Sequence, residues 1–342
     1  MQSHKDRKQA STVRPLPPAE LDGNVITTAN AKEKDDAMTT LVTGGRGFVG
    51  RHLVDQLLAD GEQVIMYNRD YSVDPRAGVV AVLGELFDIP RLTETLRAHK
   101  VDRIIHTAGQ SHPALSIELP VTTFAANADG TLAVYEAARM TGVRRIVFFS
   151  SECALGNITE PGPVTEDVKP APTTVYGVTK VAGELLGSAY NSLYGMEVVS
   201  LRITEVYGPG LWMPSLLGDM IRAGLRGETF KLESGGDHGF QFVHVEDVAT
   251  AARLASTTAT LTQQAYFVSG GDRMTVFETA ELLKKYLPDA RFEIGPGYLP
   301  DWDRQVQFDL SRTSRDLGYV PAWELEKGLQ SQIEWIRSTE QF

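Results

Sequence analysis

The chain has 342 residues, 42% of them hydrophobic, enough for one large α/β domain and a smaller one. Its formal net charge of -11 argues against a nucleic-acid or anionic-membrane binder. No apolar run is long enough to span a bilayer, and the single cysteine, Cys153, permits no internal disulfide, which suits a reducing cytoplasm.

Residues 1–37 hold Ser, Thr, Lys, Asp and Pro without apolar periodicity. They lack the hydrophobic segment of a secretory signal and read as a disordered extension. Folding is expected to start at Met38. Thr40 to Thr43 reads as a buried strand, and Phe48 to Ala59 as a helix closed by Gly61. Strands follow at Val64–Tyr67 and Val79–Leu83, a helix at Ile89–His99, and a strand at Arg103–Thr107. A long helix is expected over Thr123–Met140, then a strand over Arg145–Phe149, a helix over Val175–Tyr194 and a strand over Val198–Arg202. The alternation predicts a doubly wound parallel sheet, a Rossmann domain, with chemistry at the carboxyl ends of its strands. After Tyr207 the pattern changes at Gly208-Pro209-Gly210, and Phe242–Ala255 returns to strand-then-helix. The expected division is 38–203 with 241–268 for the Rossmann domain, and 204–240 with 269–342 for a smaller, discontinuous α/β substrate-binding lobe.

Leu41 to Gly50 carries the first functional signal. Gly44, Gly47 and Gly50 stand three apart between a strand and a helix. Gly44 suits the tight turn, Gly47 the close approach of a pyrophosphate, and Gly50 the packing of helix on strand. Phosphates would sit on the helix N-terminus with Phe48 and Val49, which points to a dinucleotide site. The alternative is a glycine-rich turn that binds nothing.

Tyr176 and Lys180 open the long helix and share a face at a separation of four. A phenol has an unperturbed pKa of ~10, and an adjacent ammonium favours its ionised form. Ser151 ends the fifth strand with a hydroxyl suited to a substrate oxygen. On spacing alone, Tyr176 and Lys180 are equally a surface pair.

Taken with the glycine turn, Ser151, Tyr176 and Lys180 resemble the extended short-chain dehydrogenase/reductase family, in its NAD(P)-dependent epimerase/dehydratase branch. Further matching stretches are His106 to Ser111, Asn127 to Gly130, Leu201 to Pro209 and Phe242 to Asp247. The resemblance implies that Tyr176 is the acid/base, Lys180 lowers its pKa and holds a ribose, and Ser151 positions the substrate oxygen. It implies cofactor contacts from Thr107, Ala108, Gly109, Asn127 and Ser150, with Glu85 and Leu86 beside the adenine. Ser111 and Ser151 would face substrate, no metal is implied, and a homodimer through the two long helices is. Asn68 stands where NAD-preferring relatives usually carry an acidic residue. With Arg69 next to it and Arg46 in the turn, the charge logic points to NADP, with NAD as the alternative.

The chain departs from that pattern in three places. Glu205 replaces an asparagine, and Phe240 and Gly295 stand where arginines usually clamp a substrate diphosphate. Arg304, or Arg222 and Arg226, are the available substitutes. Glu152 and Cys153 follow Ser151, where dehydratases carry an acidic pair and some epimerising relatives carry Ser-x-Cys with a proton-transferring thiol. The bland alternative is a buried, inert Cys153 and a solvated Glu152. Three functions remain open: an epimerase of a sugar or sugar nucleotide, a net reductase or dehydrogenase of a small polyol, sugar acid or ketone, and a non-catalytic cofactor-sensing protein.

Overall fold

The computed structural model describes residues 25–26, 37–70, 74–159, 162–271 and 273–340. Apart from Ala37 and residues 25–26, the expected disordered extension lies outside these. Val25–Ile26, where no strand was expected, forms a two-residue antiparallel edge on Val79–Leu83, with Val25 opposite Val82.

Seven strands make one parallel sheet. Their spatial order is Val79–Leu83, Gln63–Asn68, Thr39–Thr43, Arg103–His106, Arg145–Ser151, Glu197–Ile203 and Ala265–Val268. All five residues of Thr39–Thr43 and all four of Arg103–His106 are buried. A strand covered on both faces cannot alternate, which is why these segments read as continuous runs. One face is covered by the helices Phe48–Ala59 and Val245–Thr257, with Leu53, Leu57, Val248 and Ala252 packed under Val42, Val147 and Val199. The other is covered by Ile89–Ala98, Gly130–Thr141 and Val175–Tyr194, with Leu92, Val134 and Tyr190 on Leu41, Ile104 and Ile146. Strand order reverses between Thr39–Thr43 and Arg103–His106, and that reversal opens a crevice at their carboxyl ends.

The helix expected over Thr123–Met140 is built in three parts. Pro120–Phe124 is α-helical, Ala125–Asp129 is a π-helical turn, and Gly130–Thr141 is α-helical again. The wide turn carries Asn127, whose buried side chain bonds outside its own helix. Such local widening is common where a helix serves a site. The short helix Pro113–Glu118 was not expected at all.

Beyond Ile203 the chain leaves the sheet. Glu205–Tyr207 pairs in parallel with Phe242–His244, with Phe242 opposite Glu205, so Phe242–His244 lies outside the main sheet although its following helix packs on it. Thr229–Leu232 pairs with Arg291–Ile294, and Gly239–Phe240 with Met274–Thr275. These surround a separate apolar cluster that includes Tyr207, Ile221, Phe240, Leu283, Leu329 and Ile336. No helix among the described residues is long and apolar enough to cross a membrane.

Candidate active site

The glycine turn lies at the crevice. Gly44 has φ +70, and a Cβ there would sit 2.9 Å from the Ala108 Cα. Only glycine meets both demands. The Gly44 N–H donates to the Tyr67 carbonyl at 3.1 Å, and the Gly47 N–H to the Gly44 carbonyl at 2.8 Å. The helix that follows begins at Phe48 with no side-chain cap and no acidic residue in its first turn. Its first N–H groups and Val49 therefore present a positive end without a competing carboxylate. This cradle fits the pyrophosphate of a dinucleotide.

At the end of the second strand Asn68 is buried, and its Oδ1 accepts from the Arg46 backbone N–H at 3.4 Å. Arg46 does not stand as a free cation: its guanidinium pairs with Asp70 at 3.3 Å. Asp70 thus offsets half of the positive charge expected from Arg46 and Arg69. The Glu85 carbonyl accepts from the Tyr67 hydroxyl at 3.1 Å, which fixes the loop at Glu85–Leu86, and Leu86 packs beside Gly130.

The loop after the fourth strand is held from within. The Thr107 hydroxyl donates to the Thr43 carbonyl at 2.8 Å, and the Ala108 N–H to the Thr43 hydroxyl at 3.2 Å. Asn127 accepts from the Gln110 N–H at 2.7 Å and donates to the Gln110 carbonyl at 2.9 Å and the Thr179 hydroxyl at 3.1 Å. It ties this loop, with Gly109 close against its Oδ1, to the helix that carries Tyr176.

That helix starts at Thr174, whose hydroxyl caps the Gly177 N–H at 3.1 Å. A Cβ at Gly177 would lie 2.3 Å from the Cys153 carbonyl, so the absent side chain lets the Ser151–Cys153 segment approach the helix. Ser151 and Tyr176 are both buried, and a hydrogen bond from the Ser151 side chain to Tyr176 favours phenolate. The Lys180 ammonium donates to the Phe149 carbonyl at 2.8 Å and lies 5.3 Å from the centre of the Tyr176 ring. Burial pulls the ammonium down to about 8.

The expected depression of the Tyr176 pKa is not what this geometry produces. Burial pushes the phenol well above its ordinary value, the neighbouring Cys153, Glu152 and Glu205 add to it, and Ser151 only partly offsets them. Ser150 is engaged within the fold. Its hydroxyl donates to Glu184 at 2.6 Å, and Glu184 is paired with buried Arg202 at 2.8 Å. It braces the strand end against the Tyr176 helix.

The far wall is acidic. Glu152 is half-buried, not solvated, and burial with Glu205 and Asp303 nearby holds its carboxyl well above the usual range. Burial raises Glu205 to about 7. Burial and Glu152 together push the Cys153 thiol up to about 12, while its backbone N–H donates to Ser151 Oγ at 3.2 Å. Asp303 accepts from the Thr173 hydroxyl at 2.8 Å, just before the Tyr176 helix.

The other substrate-side residues are dispersed. Ser111 is exposed and reaches the Met213 sulfur at 3.7 Å. Arg304 lies over the Tyr298 ring at 4.0 Å. Arg222 pairs with Glu340 at 2.8 Å, which occupies it. Three residues that sequence reasoning missed belong to the site's frame: Ser116, whose Oγ accepts from the Tyr176 N–H at 3.2 Å, with Asp70 and Asp303. Asp70 follows Arg69 directly and was legible as a charge; Ser116 and Asp303 carried no local signal.

The fold is a Rossmann-type dinucleotide fold, with Ser151 and Lys180 beside Tyr176 and a glycine-rich turn at the crevice. Residues 40–268 match the NAD dependent epimerase/dehydratase family, and the chain belongs to that family. It is 30% identical over 325 residues to a UDP-glucose 4-epimerase of Mycolicibacterium smegmatis, covering 89% of this chain and 100% of that one. It is 27% identical over 325 residues to a dTDP-glucose 4,6-dehydratase of Xanthomonas campestris pv. campestris, covering 87% and 92%. Among solved structures, the UDP-glucose 4-epimerase of Thermus thermophilus in complex with NAD superposes with a TM-score of 0.78, at 29% identity over 89% of this chain and 100% of that one. The chain is therefore an enzyme of the epimerase/dehydratase type.

Proposed function

We propose that this enzyme epimerises a nucleotide-activated sugar, using NAD in preference to NADP. The carrying observation is the convergence of Ser151, Tyr176 and Lys180 at the carboxyl end of a sheet whose glycine turn fits a pyrophosphate. The similar structure that carries NAD supports the cofactor, and so does the Arg46–Asp70 pair, which weakens the field a 2′-phosphate needs. Asn68 and Arg69 would hold the adenosine ribose, and Lys180 the nicotinamide ribose.

Residues 38–203 with 241–268 form the cofactor lobe on this reading, and 204–240 with 269–342 the substrate lobe. The first supplies Ser151, Tyr176 and Lys180; the second supplies Glu205 and Asp303. Ser151 donates a hydrogen bond to the substrate oxygen. Tyr176 takes the proton of that hydroxyl and returns it, so positive charge beside its ring must outweigh burial; Lys180 contributes part of it. A bound nicotinamide dinucleotide supplies the hydride acceptor and, when oxidised, a further positive charge.

Glu152 favours a second reading. A carboxyl held neutral can protonate a hydroxyl leaving from a carbon near the transient ketone, which is dehydration. The test is incubation of the enzyme with UDP- and dTDP-hexoses, with the products read by NMR and the 340 nm band of reduced nicotinamide followed in parallel. Epimerisation gives two stereoisomers without net absorbance change, and dehydration gives a keto product with loss of water. A Tyr176→Phe enzyme should do neither. Net turnover of free polyols or ketones, with no reaction of any nucleotide sugar, would reject both readings.

A further inference from the structure

The two strands that flank the crevice end in Thr43 and His106, which lie opposite one another in register. Thr43 Oγ1 and His106 Nδ1 are 2.7 Å apart. Across the ring, His106 Nε2 is 3.1 Å from Thr131 Oγ1, in the first turn of the helix Gly130–Thr141. The Thr131 hydroxyl donates to the Asn127 carbonyl in the π turn. Asn127 Nδ2 donates to the Thr179 hydroxyl at 3.1 Å, and that hydroxyl donates to the Tyr176 carbonyl at 2.6 Å. A continuous chain of hydrogen bonds thus runs from the residue before Gly44 to the first turn of the Tyr176 helix. None of Thr43, His106, Asn127, Thr131 and Thr179 is more than 4% exposed.

The carbonyls in this chain fix every proton in it. A carbonyl only accepts, so the Thr131 proton is committed to Asn127 and the Thr179 proton to Tyr176. Thr131 Oγ1 therefore meets His106 as an acceptor, and the ring proton stands on Nε2. Burial, with the charge of Lys180, holds the imidazole down at about 3, so the ring is neutral. A neutral ring has one N–H, which leaves Nδ1 bare to accept from the Thr43 hydroxyl. Thr43 Oγ1 in turn accepts the Ala108 N–H at 3.2 Å. The opposite tautomer would set a bare Nε2 against the Thr131 oxygen with no proton between them. A buried network with one allowed arrangement is stiff, and movement at one end is opposed at the other.

We propose that His106 is a positioning residue for Tyr176: it ties the glycine turn to the first turn of the Tyr176 helix, so that a dinucleotide seated in the turn orders that helix. This rests on the reading of Tyr176 as the acid/base and of the glycine turn as the seat of the cofactor. The link passes beneath the crevice and needs no contact between the cofactor's phosphates and Tyr176.

The test uses ADP, which carries the adenosine and pyrophosphate of the dinucleotide but no second ribose to reach Lys180. Backbone hydrogen exchange over residues 175–180 is followed by mass spectrometry with and without ADP. In the unaltered chain ADP should slow exchange there about fivefold or more. Thr131→Val and His106→Gln should lose that protection while their ADP affinity, by calorimetry, changes less than about threefold. Thr131→Ser keeps the hydroxyl and should keep the protection. Thr95→Val removes a buried hydroxyl that bonds the Arg91 carbonyl of its own helix, and should behave as the unaltered chain. Equal ADP-linked protection in all of these, or none in an unaltered chain that binds ADP, would overturn the link. An unaltered chain that does not bind ADP would overturn the cofactor seat and the link together. Loss of protection in Thr131→Val beside full turnover of UDP-glucose by Tyr176→Phe would leave the link standing and reject Tyr176 as the acid/base. Should the variants fail to fold, nitrogen NMR of the unaltered chain carries the test: His106 should show a bare Nδ1 and a protonated Nε2, and a protonated Nδ1 would overturn the chain.

Discussion

The Ser116 hydroxyl accepts the backbone N–H of Tyr176 at 3.2 Å while donating to the Pro113 carbonyl at 2.6 Å. It joins a six-residue helix to the first turn of the helix that carries Tyr176, sixty positions away in sequence. The Tyr176 N–H has no intrahelical partner at that position, and Ser116 is fully buried. Ser116→Ala should therefore cost about 1–3 kcal/mol of stability by urea unfolding, the penalty of an unsatisfied buried donor. It should also lower kcat more than it raises KM, since the displaced group is the proposed proton carrier. An unchanged unfolding midpoint would show that the bond contributes nothing.

Glu205 makes stability depend on pH in a definite direction. Its folded value, about 7, lies above the ordinary carboxylate value, so folding favours the protonated form. The stabilising contribution is complete below the unfolded pKa of about 4.3 and is lost as pH rises through about 7. Glu205→Gln should flatten the melting temperature between pH 5 and pH 8. It should also leave the chain more stable than the unaltered enzyme at the alkaline end. A slope that persists in full would assign it to Glu152 or Asp303, which shift in the same direction.

The proposed preference for NAD rests in part on Asp70. Its exposed pair with Arg46 is of the surface kind, worth about 1 kcal/mol or less. Asp70→Asn should shift the NAD to NADP affinity ratio toward NADP by about fivefold or less. Arg69→Ala should weaken NADP more than NAD. Fluorescence titration with both reduced cofactors measures each ratio, and an unaltered enzyme that prefers NADP would reject the NAD assignment.

Three helical segments, Pro120–Phe124, Gly130–Thr141 and Val175–Tyr194, leave apolar side chains in solvent. Val121 is 81% exposed, Leu185 65% and Leu193 71%, with Phe124, Leu132 and Val178 also uncovered. A surface of this kind is stable in water when a second copy covers it. The unaltered chain is expected to sediment as a dimer at micromolar concentration, and Leu132→Asp with Leu185→Asp as a monomer. A monomer in the unaltered chain would reject the assembly.

Much of this protein is local and was legible in its order of residues. The run Thr40–Thr43, the glycines at 44, 47 and 50, and the Tyr176–Lys180 spacing each encode their structure within a dozen positions. Burial of a strand on both faces, a tight turn and a shared helix face depend only on near neighbours. The long helix Val175–Tyr194 was read to the residue because Thr174 caps it and Gly195 ends it in the left-handed region at φ +63. What lay beyond sequence was every property set by partners far along the chain. The π turn at Asn127 exists because its side chain bonds Gln110 and Thr179. The raised Tyr176 pKa comes from burial and from Cys153, Glu152 and Glu205, which the lobes bring together. Asp70 neutralises Arg46 across a turn. Electrostatics sums over neighbours in space, and sequence spacing does not report which neighbours those are.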